Sequence, residues 1–208
     1  MFYRNYVKRP IDFLLSLIAL TLLLPFFVLI GILIKLDSKG PLFFKQLRLG
    51  KDEKEFYVYK FRTMRVDTPK NMPTYLLEDP DYHITKVGKF LRKSSLDELP
   101  QIINIVKGEM SIIGPRPIIK DEKELYYERV KNNVYSVLPG LTGFAQINGR
   151  DTIGYKEKAR LDGLYINNLS FSFDLKIFLL TISRVLKGDG VQEGMQLEQK
   201  PTKSTEAL

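Results

Sequence analysis

The chain has 208 residues, a net charge of +8 and no cysteine. That length leaves room for one modest domain, and the missing thiols exclude a disulfide framework and any thiolate metal site. The surplus of lysine and arginine points to anionic partners, whether phosphates, acidic lipid head groups or nucleic acid.

Phe13 to Ile34 is a run of 22 residues without a charge, with Pro25 near its middle. At a helical rise of ~1.5 Å per residue it is long enough to cross a bilayer core. Basic residues flank it on both sides: Arg4, Lys8 and Arg9 before, Lys35, Lys39, Lys45 and Arg48 after. A spanning helix carries this excess on its cytoplasmic side, and here neither flank stands out. Pro25 removes a backbone donor and crowds the preceding turn. Together these features favour a helix that dips into one leaflet and returns to the same face, over a straight span.

Beyond Gly40-Pro41, Leu42–Leu49 and Glu55–Phe61 read as two short strands around a turn at Gly50-Lys51-Asp52. Residues 66–83 carry Pro69, Pro73 and Pro80 and read as a long loop. The only histidine, His83, falls in it and reads as an exposed loop residue. Val87, Phe90 and Leu91, interleaved with Lys86, Lys89, Arg92 and Lys93, predict a short basic amphipathic helix. A second helix is predicted through Gln101–Val106, stopping at Gly108, and a third from Lys120 to about Val130. Leu175, Phe178, Leu179, Ile182, Val185 and Leu186 follow helical spacing, so that helix buries one face against protein or lipid. The polar residues 189–208 read as a disordered tail.

Three segments carry candidate chemistry. In Ser95-Leu96-Asp97-Glu98-Leu99-Pro100-Gln101, two adjacent carboxylates stand at the predicted mouth of a helix. Pro100 fits only the first helical turn, which places the cap at Leu96 or Asp97. Asp97 as a simple N-cap is one reading. The other is chemical: helix amides, Arg92 and Lys93 attract a phosphate, and Mg²⁺ takes carboxylate and phosphate oxygens together. Asp97 is then a candidate nucleophile and Glu98 a candidate metal ligand. In Gly114-Pro115-Arg116-Pro117 an arginine is held on a stiff turn between two prolines, a form suited to phosphate. In Pro139–Arg150 three glycines permit close backbone approach, and Gln146, Asn148 and Arg150 offer groups for a base, a sugar or a phosphate.

These segments, taken in order with Lys8-Arg9, Gly40–Gln46 and Lys60-Phe61-Arg62-Thr63-Met64, resemble the bacterial monotopic phosphoglycosyl transferases. The resemblance runs through almost the whole chain and is closest to the minimal form of that family, without a further N-terminal membrane domain. It implies an α+β, mostly helical fold: a re-entrant helix hairpin over residues 1–38, then a catalytic domain over 39–188 with amphipathic surface helices and a small β-hairpin. It implies that Asp97 attacks the β-phosphate of a UDP-sugar, expels UMP and holds a phospho-sugar that passes to polyprenol phosphate. It implies Mg²⁺ on Glu98, phosphate at Arg92 and Arg116, and the nucleotide near Gln146, Asn148 and Arg150. Family members sit on the cytoplasmic face of the inner membrane among its lipids and start the assembly of surface glycans. A homo-oligomer is left open. The competing reading is a membrane-anchored basic protein that binds nucleic acid or anionic lipid through residues 45–65 and 86–93. It gives no account of Asp97-Glu98, Arg116 or Arg150, so nucleic acid is not an expected partner.

Overall fold

The computed structural model describes residues 2–68, 80–149 and 153–187. After a π-helical turn (Tyr3–Val7), helix α1 spans Lys8–Asp37 as one continuous run with Pro25 inside it. It is long and apolar enough to cross a membrane, with a mean hydropathy of 3.0 over its most apolar stretch. Strands β1 (Phe43–Leu49) and β2 (Glu55–Phe61) pair antiparallel, with Phe43 opposite Phe61 and Leu49 opposite Glu55. Helices α2 (Pro80–His83), α3 (Lys86–Lys93) and α4 (Gln101–Lys107) follow. Strand β3 (Ser111–Ile113) pairs in parallel with β4 (Gly140–Thr142), and α5 (Lys123–Lys131) lies between them in sequence. Helices α6 (Phe144–Ile147), α7 (Tyr155–Asn167) and α8 (Phe171–Lys187) complete the described fold. It is α+β and mostly helical, as expected. The 189–208 tail lies outside the described residues.

Helix α1 buries side chains on one face toward its two ends: Lys8, Asp12 and Ser16 near one, Phe27, Ile30 and Ile34 near the other. The opposite face, including Leu14, Leu22, Val28 and Leu36, is apolar and exposed. Both ends are tied to the same globular body. Near the start, Arg9 donates to the Ile105 carbonyl at 2.7 Å, and Ser111 donates to the buried Asp12 carboxylate. At the far end, Arg62 donates to the Ser38 carbonyl at 2.6 Å, and Asp37 accepts from the Val87 amide at 2.9 Å.

A buried polar knot fixes the first of these ends. Asp174, at the head of α8, accepts from Lys8 at 2.6 Å, Tyr3 at 2.7 Å and Tyr165 at 2.8 Å. The rest of α8 is lightly held. Ile177 is buried, whereas Leu175, Phe178, Leu179, Ile182 and Val185 are exposed. The apolar stripe read from the sequence is real, and no described part of the chain covers it.

Several boundaries differ from the sequence reading. Helix α5 starts at Lys123, not Lys120, because Glu122 folds back to accept from the Ile119 amide at 3.1 Å. The carboxylate pair is not the cap of α4. Leu96–Glu98 forms a separate 3-10 turn, and the cap position of α4 falls on Pro100. Ser95 causes this: its left-handed backbone (φ 56°) turns the chain sharply between α3 and the acids. The parallel pair β3–β4 and helices α6 and α7 were not foreseen. Each of those strands has three residues, too few for alternation to register.

Removing the acceptor at the centre of the knot takes the short partner from the buried Lys8 ammonium, leaving it Asp12 at 3.6 Å, and the carboxylate acceptor from Tyr3 and Tyr165. Asp174→Ala is expected to cost about 3–5 kcal/mol, read as a lowered unfolding midpoint in detergent.

Candidate active site

Four elements converge on the carboxylate pair. Leu96 and Leu99 pack into the apolar cluster formed by Phe61, Leu91 and the α1 residues Phe27, Ile30 and Ile34. The turn that carries Asp97 and Glu98 is thereby seated against the membrane helix. Strand β2 carries Lys60 one residue before its end and is locked to α4 by Asn104, which is fully buried. The Asn104 amide donates to the Tyr57 carbonyl at 2.7 Å, and its oxygen accepts from the Tyr59 amide at 3.0 Å. One side chain thus holds the helix behind the acids in register with the strand that carries the lysine.

Helix α3 brings the third group. Its N-cap is Thr85, whose hydroxyl accepts from the Gly88 amide at 3.0 Å. A Cβ on Gly88 would sit 2.0 Å from the Thr63 carbonyl oxygen, so only glycine lets α3 lie this close to the chain leaving β2. The close approach lets the Arg92 Nε donate to the Thr63 hydroxyl at 2.9 Å. The fourth group is Arg116, on the Pro115–Pro117 segment after β3.

The two acids are treated differently. Glu98 is clasped by cations: Lys60 donates to Oε1 at 2.8 Å, Arg116 Nη2 to Oε1 at 2.6 Å and Arg116 Nη1 to Oε2 at 3.2 Å. Burial alone would raise the Glu98 carboxyl, but Arg116 and Lys60 outweigh it and hold the group well below the usual carboxylate range. Asp97 is half-buried and, among the described residues, has no hydrogen bond or ion pair. Burial pushes its carboxyl up, and the Glu98 charge adds to that. Lys60, Arg92 and Arg116 pull it back in part. The arrangement is one neutralised carboxylate that orients, beside one unpartnered carboxylate in a cationic setting. The second is suited to attack on phosphorus.

Asp97, Glu98, Arg92 and Arg116 are therefore brought together as expected. Gln146 and Asn148 are not joined to that group. Gln146 donates to the Leu141 carbonyl at 3.2 Å and Asn148 to the Phe144 carbonyl at 2.7 Å, each within its own segment. The Gln146 oxygen is buried without a partner. Arg150 lies outside the described residues. His83 contacts Thr68 at 3.3 Å and takes no part in the site. Two members were missed from the sequence: Lys60 as the second cation on Glu98, and Arg48 behind Arg116. Burial and the neighbouring Arg116 bring the Arg48 guanidinium down to about 10. The Lys60-Phe61-Arg62-Thr63-Met64 motif marked the segment but not which of its cations meets the dyad.

The sequence pattern described as bacterial sugar transferase matches residues 3–188. The chain belongs to that family. A sugar transferase of Bacillus subtilis, EpsL, is 44% identical over 160 residues, which are 77% of this chain and 77% of that protein. The UDP-galactose-lipid carrier transferase of Erwinia amylovora is 37% identical over 89% of this chain and 42% of its own length. The UDP-glucose:undecaprenyl-phosphate glucose-1-phosphate transferase of Escherichia coli is 42% identical over 85% of this chain and 39% of its own. This sugar transferase therefore spans under half the length of the last two relatives, and most of the Bacillus one.

The electrostatics of the dyad can be read directly by carbon NMR of the carboxyl groups. Asp97 is expected to titrate above the ordinary aspartate value of ~3.9 and Glu98 below the ordinary glutamate value of ~4.3. Lys60→Met removes the largest group holding Asp97 down, so the Asp97 midpoint is expected to move further up. An Asp97 midpoint that falls in this variant would contradict the assignment.

Proposed function

We propose that this sugar transferase moves a sugar-1-phosphate from a UDP-sugar to polyprenol phosphate and releases UMP, through a covalent intermediate on Asp97. The observation that carries the reading is the asymmetry of the dyad: Asp97 unpartnered, Glu98 clasped by Lys60 and Arg116, both seated against an apolar helix. Relatives named for transfer from UDP-glucose to undecaprenyl phosphate support the substrate classes.

In the first half-reaction an ionised Asp97 oxygen attacks the β-phosphorus of the donor. The bond from that phosphorus to the bridging oxygen breaks, and UMP leaves with its electron pair. Arg92 and Arg116 face the phosphate oxygens and offset their charge. Glu98 stays ionised throughout, because two cations hold its proton off. In the second half-reaction a phosphate oxygen of the lipid attacks the same phosphorus, and Asp97 departs as carboxylate. Gln146, Asn148 and Arg150 place the nucleotide.

Mg²⁺ fits the donor set. It binds through one or two carboxylates, with phosphate and water oxygens filling the rest. Asp97 and Glu98 supply carboxylates, and among the described residues no group of three metal-ligating side chains competes for a dedicated site. Glu98 would hold the ion, which when bound offsets charge on the diphosphate.

The membrane arrangement belongs to the same proposal. A straight span would put the ends of α1 on opposite sides of the bilayer, yet Lys8 and Arg9 at one end and Asp37 at the other dock on one body. We read α1 as re-entrant, its outer face in one leaflet and the dyad at the cytoplasmic surface of the inner membrane. There a soluble donor and a lipid acceptor meet, at the first step of a surface glycan.

The test is UMP release by purified protein in detergent, with a panel of UDP-sugars, polyprenol phosphate and Mg²⁺. Release that depends on lipid and is abolished by chelation is expected. Asp97→Asn is expected to lower the rate by a factor on the order of 10⁴. Undiminished release by Asp97→Asn would end the covalent reading.

A further inference from the structure

Pro115 and Pro117 cannot donate from the backbone, so the segment that carries Arg116 cannot be held by ordinary strand pairing. It is held by its carbonyls instead, four in succession. Pro115 accepts from the Gly140 amide at 2.9 Å, and Ile118 from the Leu49 amide at 2.9 Å. Between them, Arg116 accepts from Arg129 Nη1 at 2.7 Å and Pro117 from Arg48 Nη1 at 3.4 Å. The short bond at Arg116 comes from a side chain with no freedom of its own. Arg129 on α5 is 4% exposed, and it spends Nε and Nη2 on Asp162 of α7 at 3.0 and 2.7 Å. The Asp162 side chain is 1% exposed.

A buried ion pair is a poor source of stability. Apolar replacement of both partners is often neutral or better, because the desolvation cost is removed with the pair. Beyond the pair itself Arg129 makes a third bond, to the Arg116 carbonyl, and that bond points to another role. We propose that Arg129 and Asp162 are positioning residues: they fix the backbone of Arg116 so that its guanidinium meets Glu98 and the donor phosphate. Neither is hydrogen-bonded to the dyad. This rests on the transferase reading for its catalytic consequence, and on geometry alone for its structural one.

Two variants test it. Arg129→Lys keeps the charge beside Asp162 but cannot serve Asp162 and the Arg116 carbonyl together. Arg129→Met with Asp162→Leu removes the pair without stranding a charge. Both are expected to unfold near the wild-type midpoint. In each, the slowly rotating Arg116 guanidinium signal in nitrogen NMR is expected to collapse to an averaged one. UMP release is expected to fall about a hundredfold in kcat/KM, as for a small misplacement of a reacting group, mainly through kcat. In an Arg116→Lys background the same changes are expected to cost less than about threefold, the mark of coupled residues.

An unchanged Arg116 signal, wild-type kcat/KM, or a full repeated cost in the Arg116→Lys background would each overturn the proposal. Failure of both variants to fold would overturn it too, by making the pair a folding element. If the guanidinium signal collapses while the wild-type chain releases no UMP, the positioning role stands and the transferase reading falls.

Discussion

Glu98 accepts from Lys60 and from Arg116, and these three residues come from three separate stretches of chain. Lys60 is the penultimate residue of a β-hairpin strand, Glu98 lies in a 3-10 turn, and Arg116 follows a strand of the second sheet. The clasp converts one of two adjacent acids into a fixed, neutralised post. Without it, two like charges on neighbouring residues would push one another toward protonation. With it, Asp97 is left as the carboxylate of the pair that has no hydrogen bond or ion pair among the described residues. The cations that serve Glu98 also lower the Asp97 carboxyl against the effect of burial. One set of contacts sets both the geometry and the charge of the site.

The membrane helix is part of the same construction. Phe27, Ile30 and Ile34 belong to the cluster that seats Leu96 and Leu99, so the dyad turn and α1 share a core. The starts of α1 and α8 are tied together, where Asp174 gathers Lys8 and Tyr3 and where Tyr3 packs edge-on against Phe171. An enzyme with one soluble and one lipid substrate needs its reacting groups at the depth where both can reach them. Here the position of the dyad turn relative to α1 is set by side-chain packing within the protein.

Much of this was legible in the sequence wherever the signal was local. The apolar run, the Asp97-Glu98 pair and Arg116 between two prolines are each contained in a few residues. The hairpin was found because Phe56–Phe61 is β-branched and aromatic. What escaped depends on partners far apart. Lys60 is one of many lysines until the fold sets it against Glu98. Arg129 and Asp162 are separated by 33 positions and look like two surface charges on separate helices. Asn104 reads as a mildly unfavourable helix residue, since nothing in its own segment shows the strand edge it completes. The cap of α4 was misplaced because a non-glycine residue, Ser95, takes a left-handed backbone that composition does not announce.

Asn104 has one more consequence. A two-stranded hairpin has two open edges, and an open edge can recruit a strand from another molecule. At Tyr57 and Tyr59 the outward carbonyl and amide of β2 are already spent on the Asn104 side chain. A single amide stands where a third strand would otherwise lie. At that place the β2 edge, beside Lys60, is closed to intermolecular β-pairing.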